Sequence, residues 1–554
     1  MDESYTGGDV IVQALKAAGV EYVFGIISIH NIPIYDAIAR QRGIRPITNR
    51  SEPGAVNMAD GYARATGRLG VVITSTGAGA GNAAGALIEA QTHGTPLLHL
   101  TGQIDFPYLD QGKGFIHECK DQLGMLKAIS KDAFRVRSID SLAATIQHAI
   151  ALAQTAPTGV VSVEIPIDVQ KMLLSAAELP FNLHPRLALD PSSVKEAADL
   201  LLSAKRPLIW SGNGVIQANA AKELTHLAEM WGAGVLTSQA GRGAIPEDHP
   251  QCIGNFAYNS AIGDFMGSCD VLLAVGTRFR GEETMVWRLP LPKTIVQIDV
   301  DQLAISRNYP ATLGLVADAK MGLQALIPEM HGRAKPDPDY LEEVVTARNA
   351  CRDALRATLG PYGQLCDELR ACMKRDAMLV ADVTISITTW GARLFPLYGL
   401  HQYIHAAGGG IGQGLQMGLG AKMGQPERQV VVIVGDGGLQ VNMGELGTAV
   451  QEEIAVVIVL FNDVGYGVLR NIQNRAYGGR HFGVDLYGLN FEKLCEAYGI
   501  HYYPVTRVEA FRPAAEAALA SGRLSLVEID MGAVGPFSVP FAGYALSNYR
   551  SYSP

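Results

Sequence analysis

The sequence predicts an α/β protein made of three doubly wound parallel-sheet domains, and three observations lead there. Apolar, β-branched runs such as Val430-Val-Val-Ile-Val434 and Ala455-Val-Val-Ile-Val-Leu-Phe461 read as strands buried on both faces of a parallel sheet. They alternate with helix-length stretches, the rhythm of repeated βαβ units. The 554 residues exceed what one hydrophobic core organises, and at about 100–200 residues per domain they divide into three.

In chain order, residues 1–172 form the first unit. Val10-Ile-Val-Gln-Ala-Leu-Lys-Ala-Ala-Gly19 has a helical pattern, Tyr22–Gly25 and Gly70-Val-Val-Ile-Thr74 read as strands, and Gly159-Val-Val-Ser-Val-Glu-Ile-Pro166 closes the unit. Residues 173–191 lose periodicity and carry Pro180, Pro185 and Pro191, as a linker does. The second unit, 192–330, has strand patterns at Pro207–Ser211, Val271–Val275 and Thr294–Asp299. A proline-bearing connection from His331 to Tyr340 and a helix lead to the third unit, 364–531. The tail, 532–554, contains Gly535-Pro-Phe-Ser-Val-Pro-Phe-Ala-Gly543 and is aperiodic, so it reads either as a surface strap or as a lid over a site. The first and third units each place a glycine-rich turn after an apolar strand, at Ser75–Asn82 and Gly435–Gly438, a hint that they are related.

Composition narrows the function classes. With 48 % hydrophobic and 18 % charged residues the chain is expected to be compact. A net charge of −9 and dispersed Lys and Arg argue against a nucleic-acid partner. Seven scattered cysteines without a Cys-x-x-Cys pair fit reduced thiols. The acidic start lacks the pattern of a secretion signal, and no apolar run reaches the roughly 18 residues of a membrane span. A cytoplasmic protein acting on a small molecule is the expectation.

The strongest chemical signal is Gly435-Asp436-Gly437-Gly438 at the end of one strand, with Asn462 at the end of the next, 26 residues after the acid. A β-α-β unit sets two parallel strand ends side by side, so Asp436 and Asn462 can share a hard cation whose shell phosphate oxygens complete, as magnesium requires. The glycines let backbone N–H groups approach an anion, and a helix expected over Met443–Val450 would direct its dipole there. Two ordinary strand-end turns capped by Asp and Asn are the plainer alternative.

This layout resembles the thiamine diphosphate enzymes of the acetolactate synthase, pyruvate oxidase and benzoylformate decarboxylase group over nearly the whole chain. The resemblance implies pyrimidine-binding, central and diphosphate-binding domains, with thiamine diphosphate and Mg2+ as cofactors. It implies metal ligation by the side chains of Asp436 and Asn462 and the carbonyl of Val464, with Gly435, Gly437, Gly438, Gly465 and Tyr466 around the diphosphate. The family usually has Asn-Asn where this chain has Asn462-Asp463. Glu52, in Arg50-Ser-Glu-Pro-Gly-Ala55 ahead of Met58-Ala-Asp-Gly-Tyr-Ala-Arg-Ala-Thr-Gly67, takes the place of the glutamate that shares a proton with the aminopyrimidine. Ser51 and Pro53 depart from the family pattern, and by itself such a Glu would be only a favourable charge on a helix dipole.

By the same resemblance Ile411, in Gly408-Gly-Gly-Ile-Gly412, props the bent cofactor, and the Gly409 carbonyl accepts from its amino group. Thr384 and Ser386 face the diphosphate, while Val468 and Ile472 line an apolar acyl pocket. His30, in Ile26-Ile-Ser-Ile-His-Asn-Ile-Pro33, and His117, in Phe115-Ile-His-Glu118, fall near the reacting carbon, and either would move protons near neutral pH. Each also reads as a surface loop residue, and Arg278 and Arg470 read as anion contacts or as solvated arginines.

The expected activity is cleavage or formation of a C–C bond beside a carbonyl: a 2-keto acid decarboxylase or carboligase, with a 2-hydroxyacyl-CoA lyase as the alternative. A homodimer or homotetramer with shared active sites follows from the resemblance. Whether the central unit holds FAD or another nucleotide stays open. A nicotinamide dehydrogenase would need Gly-x-Gly-x-x-Gly after a strand, a spacing that the turns at 75–82 and 408–414 lack. A non-catalytic homologue would not need Glu52, Asp436 and Asn462 together.

Overall fold

The computed structural model describes residues 5–174, 189–257 and 259–539. Three six-stranded sheets organise them, each parallel throughout. Most of the prolines expected to mark the linker, and the tail from residue 540, lie outside the described residues. Leu173–Leu174 pairs antiparallel with Tyr5–Thr6, so the start of the linker segment is tied back to the first unit.

With the six strands of each sheet numbered along the chain, the first sheet has the order 2-1-3-4-6-5. Its strands are Tyr22–Gly25, Arg45–Thr48, Gly70–Thr74, Leu97–Gln103, Asp132–Arg135 and Val160–Pro166. The third sheet has the same order, with strands Met378–Ala381, Tyr403–His405, Val430–Gly435, Val457–Asn462, His501–Val505 and Ser525–Asp530. The weak hint from two glycine-rich turns is thus matched by identical topology. The central sheet differs, with order 3-2-1-4-5-6 from Pro207–Ser211, Gly234–Thr237, Cys252–Gly254, Val271–Val275, Thr294–Asp299 and Leu313–Val316. In such sheets ligands bind beyond the carboxyl ends of the strands where the order reverses, and the turns singled out in the sequence lie at those ends.

The inner strands, such as Gly70–Thr74, Val271–Val275 and Val430–Gly435, are buried along both faces, which explains their continuous apolar runs, whereas the edge strands Arg45–Thr48 and His501–Val505 are partly open. Polar exceptions are paired across strands: in the first sheet the buried His99 has its Nε2 2.9 Å from Thr74 Oγ1 and its Nδ1 3.1 Å from Ser162 Oγ.

One hydrophobic core runs from the first unit into the third, uniting Phe24, Ile47, Met58 and Val72 with Val380, Met417, Val432 and Leu446. The join is a pair of helices, Glu52–Thr66 and Gly414–Gly424. Ser51 caps the first of these, its hydroxyl accepting from the Gly54 N–H, and Gly67 ends it in the left-handed conformation. The two backbones approach so closely that a Cβ on Gly61 would lie 2.1 Å from the Met417 carbonyl oxygen, and one on Gly420 1.9 Å from that of Met58.

Candidate functional site

The third sheet builds one half of the site. Gly435 stands opposite Phe461 in the register of two adjacent strands, so Asp436 and Asn462 emerge side by side. A helix begins directly at Asp436 and runs to Val441, and a second covers Glu445–Gln451. This corrects the expectation of one helix over Met443–Val450: the helix entered from the Gly-Asp-Gly turn is the earlier one, and Asn442 to Gly444 separate the two. Asp436 is 2 % exposed, and its carboxylate accepts from the N–H groups of Asp463, at 3.3 Å, and Gly465, at 3.0 Å.

Burial holds the Asp436 carboxyl above the usual carboxylate range, and burial together with the Asp436 charge pushes Asp463 up to about 7. The buried Asp436 beside the half-buried Asp463, with Arg470 3.5 Å from Asp463, leaves negative charge that a divalent cation would neutralise, so the residues present suit magnesium. Asn462 donates to Glu528 at 2.6 Å, and its Oδ1 accepts from the Val464 N–H at 3.1 Å. Val464 has φ 55°, a left-handed conformation costly for a β-branched residue. Its carbonyl accepts from Arg470, at 3.1 Å, and from the Leu486 N–H, at 3.3 Å. Arg470 also donates to the Asp463 carbonyl and to Asp485, so it is a brace for this loop. Among the described residues no three His, Cys, Asp or Glu side chains gather to hold a metal.

The predicted neighbours converge on this half. The Tyr466 ring lies where a Cβ on Gly437 would come within 2.8 Å, and Thr384 Oγ1 is 3.2 Å from a Cβ position on Gly435. Ser386 is fully buried with an unpartnered hydroxyl. Gly409 and Gly412 have φ 80° and 78°, and Ile411 between them is partly exposed. Val468 packs on the third unit's core, while Ile472, one turn on in the helix Gly467–Ala476, is half-buried.

Two residues escaped the sequence reading. Asp382, fully enclosed and pushed up to about 6 by burial against its hydrogen bonds, accepts from the N–H groups of Gly412, Gly414 and Val383. It therefore shapes the turn that carries Ile411; its place after an apolar strand, two residues before Thr384, was the available signal. The other is Glu445, described below.

The first sheet builds the second half. Glu52 opens the helix Glu52–Thr66 and accepts from Asn82 at 3.2 Å, beside the turn in which a Cβ on Gly79 would lie 3.3 Å from its Oε1. His30 and His117, far apart in sequence, come together with ring centroids 5.4 Å apart and planes at 83°. His30 is 4 % exposed with an unpartnered Nδ1, so it is not a surface residue. Burial, then the adjacent His117, lowers its pKa. The His117 carbonyl oxygen packs where a Cβ on Gly77 would lie, two residues before Gly79, which joins the pair to the turn beside Glu52.

Three family models match in order: the N-terminal thiamine pyrophosphate binding domain over residues 5–125, the central domain over 194–326 and the C-terminal thiamine pyrophosphate binding domain over 386–529. The acetolactate synthase large subunit of Haemophilus influenzae is 31 % identical over 89 % of this chain and 88 % of its own length. The chain belongs to the thiamine pyrophosphate enzyme family. Acetolactate synthase isozyme 3 large subunit of Escherichia coli is also 31 % identical, over 90 % of this chain and 89 % of its own length. The probable 2-ketoarginine decarboxylase AruI of Pseudomonas aeruginosa is 31 % identical over 85 % and 84 %. The chain is thus an enzyme dependent on thiamine diphosphate, and not a nicotinamide dehydrogenase.

The central sheet has the order of dinucleotide-binding proteins, but its first strand continues as Gly212-Asn-Gly-Val-Ile-Gln217, with Gln in place of the third fingerprint glycine. Arg278, exposed at the switch point, donates to the Thr92 carbonyl. Among the described residues no helix is long and apolar enough to cross a membrane, and the seven cysteines are unpaired.

Proposed function

We propose that this enzyme cleaves or forms a C–C bond adjacent to a carbonyl, on a 2-keto acid, with Mg2+ holding the diphosphate. The observation that carries the reading is the pairing of Asp436 with Asn462 at neighbouring strand ends, next to the half-buried Asp463 and beside the Ile411 turn. Asp436, Asn462 and the Val464 carbonyl would hold the metal, and Gly435, Gly437, Gly438, Gly465, Tyr466, Thr384 and Ser386 would surround the diphosphate. Thiamine diphosphate, when bound, supplies a carbon acid that adds to the carbonyl and accepts the electrons of the breaking bond. Glu52 would hold a proton beside the pyrimidine, and Ile411 and the Gly409 carbonyl would support the bound cofactor. His30 and His117 move protons at the substrate, whose apolar part lies against Val468 and Ile472.

A 2-keto acid is the substrate named for the decarboxylase relative, and the pairing of buried His30 with the exposed loop residue His117 supports a reaction with proton transfer at the substrate. We place the enzyme in the reducing cytoplasm, in keeping with its unpaired thiols, as a homodimer or homotetramer. Exposed Ile27, Ile29, Ile32 and Ile116 around the histidine half, and exposed Val441, Val464 and Leu469 around the metal half, support a site closed by a second subunit.

The test is incubation with a panel of 2-keto acids, with and without an acceptor aldehyde, before and after chelation. Product formation that disappears on chelation and returns with Mg2+ and thiamine diphosphate is expected. Activity indifferent to Mg2+ sinks the metal assignment.

A further inference from the structure

Glu445 opens the helix Glu445–Gln451 of the third unit, is 1 % exposed, and has its carboxylate turned into the first unit. Its Oε1 accepts from the N–H groups of Arg50, at 3.0 Å, and Ser51, at 2.9 Å, and from the Ser51 hydroxyl at 3.1 Å. Its Oε2 accepts from Asn49 Nδ2 at 3.1 Å and from the Thr448 hydroxyl at 2.7 Å. A buried carboxylate needs such a full set of donors to offset its lost hydration. Four of these five donors belong to residues 49–51, the segment that leads directly into Glu52.

Two features set this apart from a general interdomain contact. Two of the donors are backbone N–H groups of the two residues before Glu52, so the carboxylate fixes the direction in which the chain enters the helix. Room for it is built in as well: a Cβ on Gly54 would lie 2.0 Å from Oε1. Ser51 both caps the helix and binds Glu445, which gives a physical reason for its presence there. On the other side, the Glu445 N–H donates to the Asn442 carbonyl at 3.2 Å, and Asn442 donates to the Gly412 carbonyl at 2.9 Å. The same short segment thus touches the Ile411 turn and the entry to Glu52.

We propose that Glu445 is a positioning residue for Glu52, lent by the diphosphate-binding domain to the pyrimidine-binding domain of the same chain. The proposal rests on the reading of Glu52 as the cofactor's proton partner.

The test is Glu445→Gln, read by amide hydrogen exchange in the cofactor-free protein and by calorimetric titration with thiamine diphosphate and Mg2+. Loss of the charged acceptor is expected to speed exchange across residues 49–55 by about tenfold or more and to weaken cofactor binding by about tenfold, with little change in the helix at 445–451. Wild-type exchange across 49–55, or an increase spread evenly over the whole first unit, overturns the proposal. If that variant does not fold, Glu445→Asp keeps the charge and shortens its reach by one methylene; wild-type exchange there overturns the proposal equally. Glu52→Gln separates the two claims: it should leave exchange at 49–51 unchanged while abolishing turnover. A fully active Glu52→Gln enzyme refutes the role of Glu52.

Discussion

At the scale of single residues, the site is a set of charges placed where burial makes them matter. Glu52 opens a helix, and in its proposed role as the cofactor's proton partner Glu52→Ala is expected to lower kcat/KM by about 10²- to 10⁴-fold with an unchanged melting temperature. Steady-state kinetics beside a thermal melt checks both halves of that statement. Asp382 is the opposite case. Its carboxylate satisfies the N–H groups of Gly412, Gly414 and Val383, so Asp382→Ala leaves buried donors unmatched and should cost about 1–3 kcal/mol, measured by urea unfolding. The placing of Asp436 and Asn462 at neighbouring strand ends was legible because the apolar strand runs and their spacing show in the chain. Asp382 and Glu445 were not, since a hydrogen-bonded buried acid has the same letter as a solvated one. The closeness of His30 to His117 was hidden for a related reason: two loops from different strands meet only after the sheet forms.

At the scale of elements, close approach and capping decide what holds. The helix pair 52–66 and 414–424 depends on Gly61 and Gly420, and Gly420→Ala drives a methyl into the Met58 carbonyl. Overpacking of this kind costs about 1–3 kcal/mol or more, seen as a lower urea midpoint. Gly7–Ala17 is fastened differently, by a capping box between Thr6 and Asp9, with Arg40 paired to Asp9 at 2.7 Å. Burial alone would raise the Asp9 carboxyl, but Arg40, Gln41 and Thr6 outweigh it and hold the group down at about 2. Because the folded pKa is depressed, this stabilisation is present above the ordinary carboxylate pKa of about 4 and is lost as pH falls toward 2. Asp9→Asn should therefore lower the melting temperature at pH 7, with a smaller difference at pH 3.

The strands read correctly in the sequence were those with continuous apolar runs, such as Val271–Val275 and Val430–Val434. Cys252–Gly254, Tyr403–His405 and His501–Val505 were not read. They are short or edge strands, with glycine, histidine or proline where pattern recognition needs apolar residues.

At the scale of the whole molecule, the question is how the two halves meet. If Glu52 of one subunit serves the metal half of another, Glu52→Ala and Asp436→Ala enzymes, each inactive alone, regain activity when unfolded, mixed and refolded together. A mixed dimer then contains one intact site. No recovery, in a mixture shown by mass spectrometry to contain mixed dimers, places both halves in a single chain.

The sequence alone determined the class of fold and the thiamine diphosphate cofactor, because buried parallel strands and a glycine-rich turn constrain local residue types. Tertiary structure decided the common topology of the outer sheets, the pairing of His30 with His117, and the reach of Glu445 across two domains to the turn before Glu52. Those relations join residues up to 396 positions apart, as Asn49 and Glu445 are. They arise from long-range packing, which leaves no periodicity in the chain.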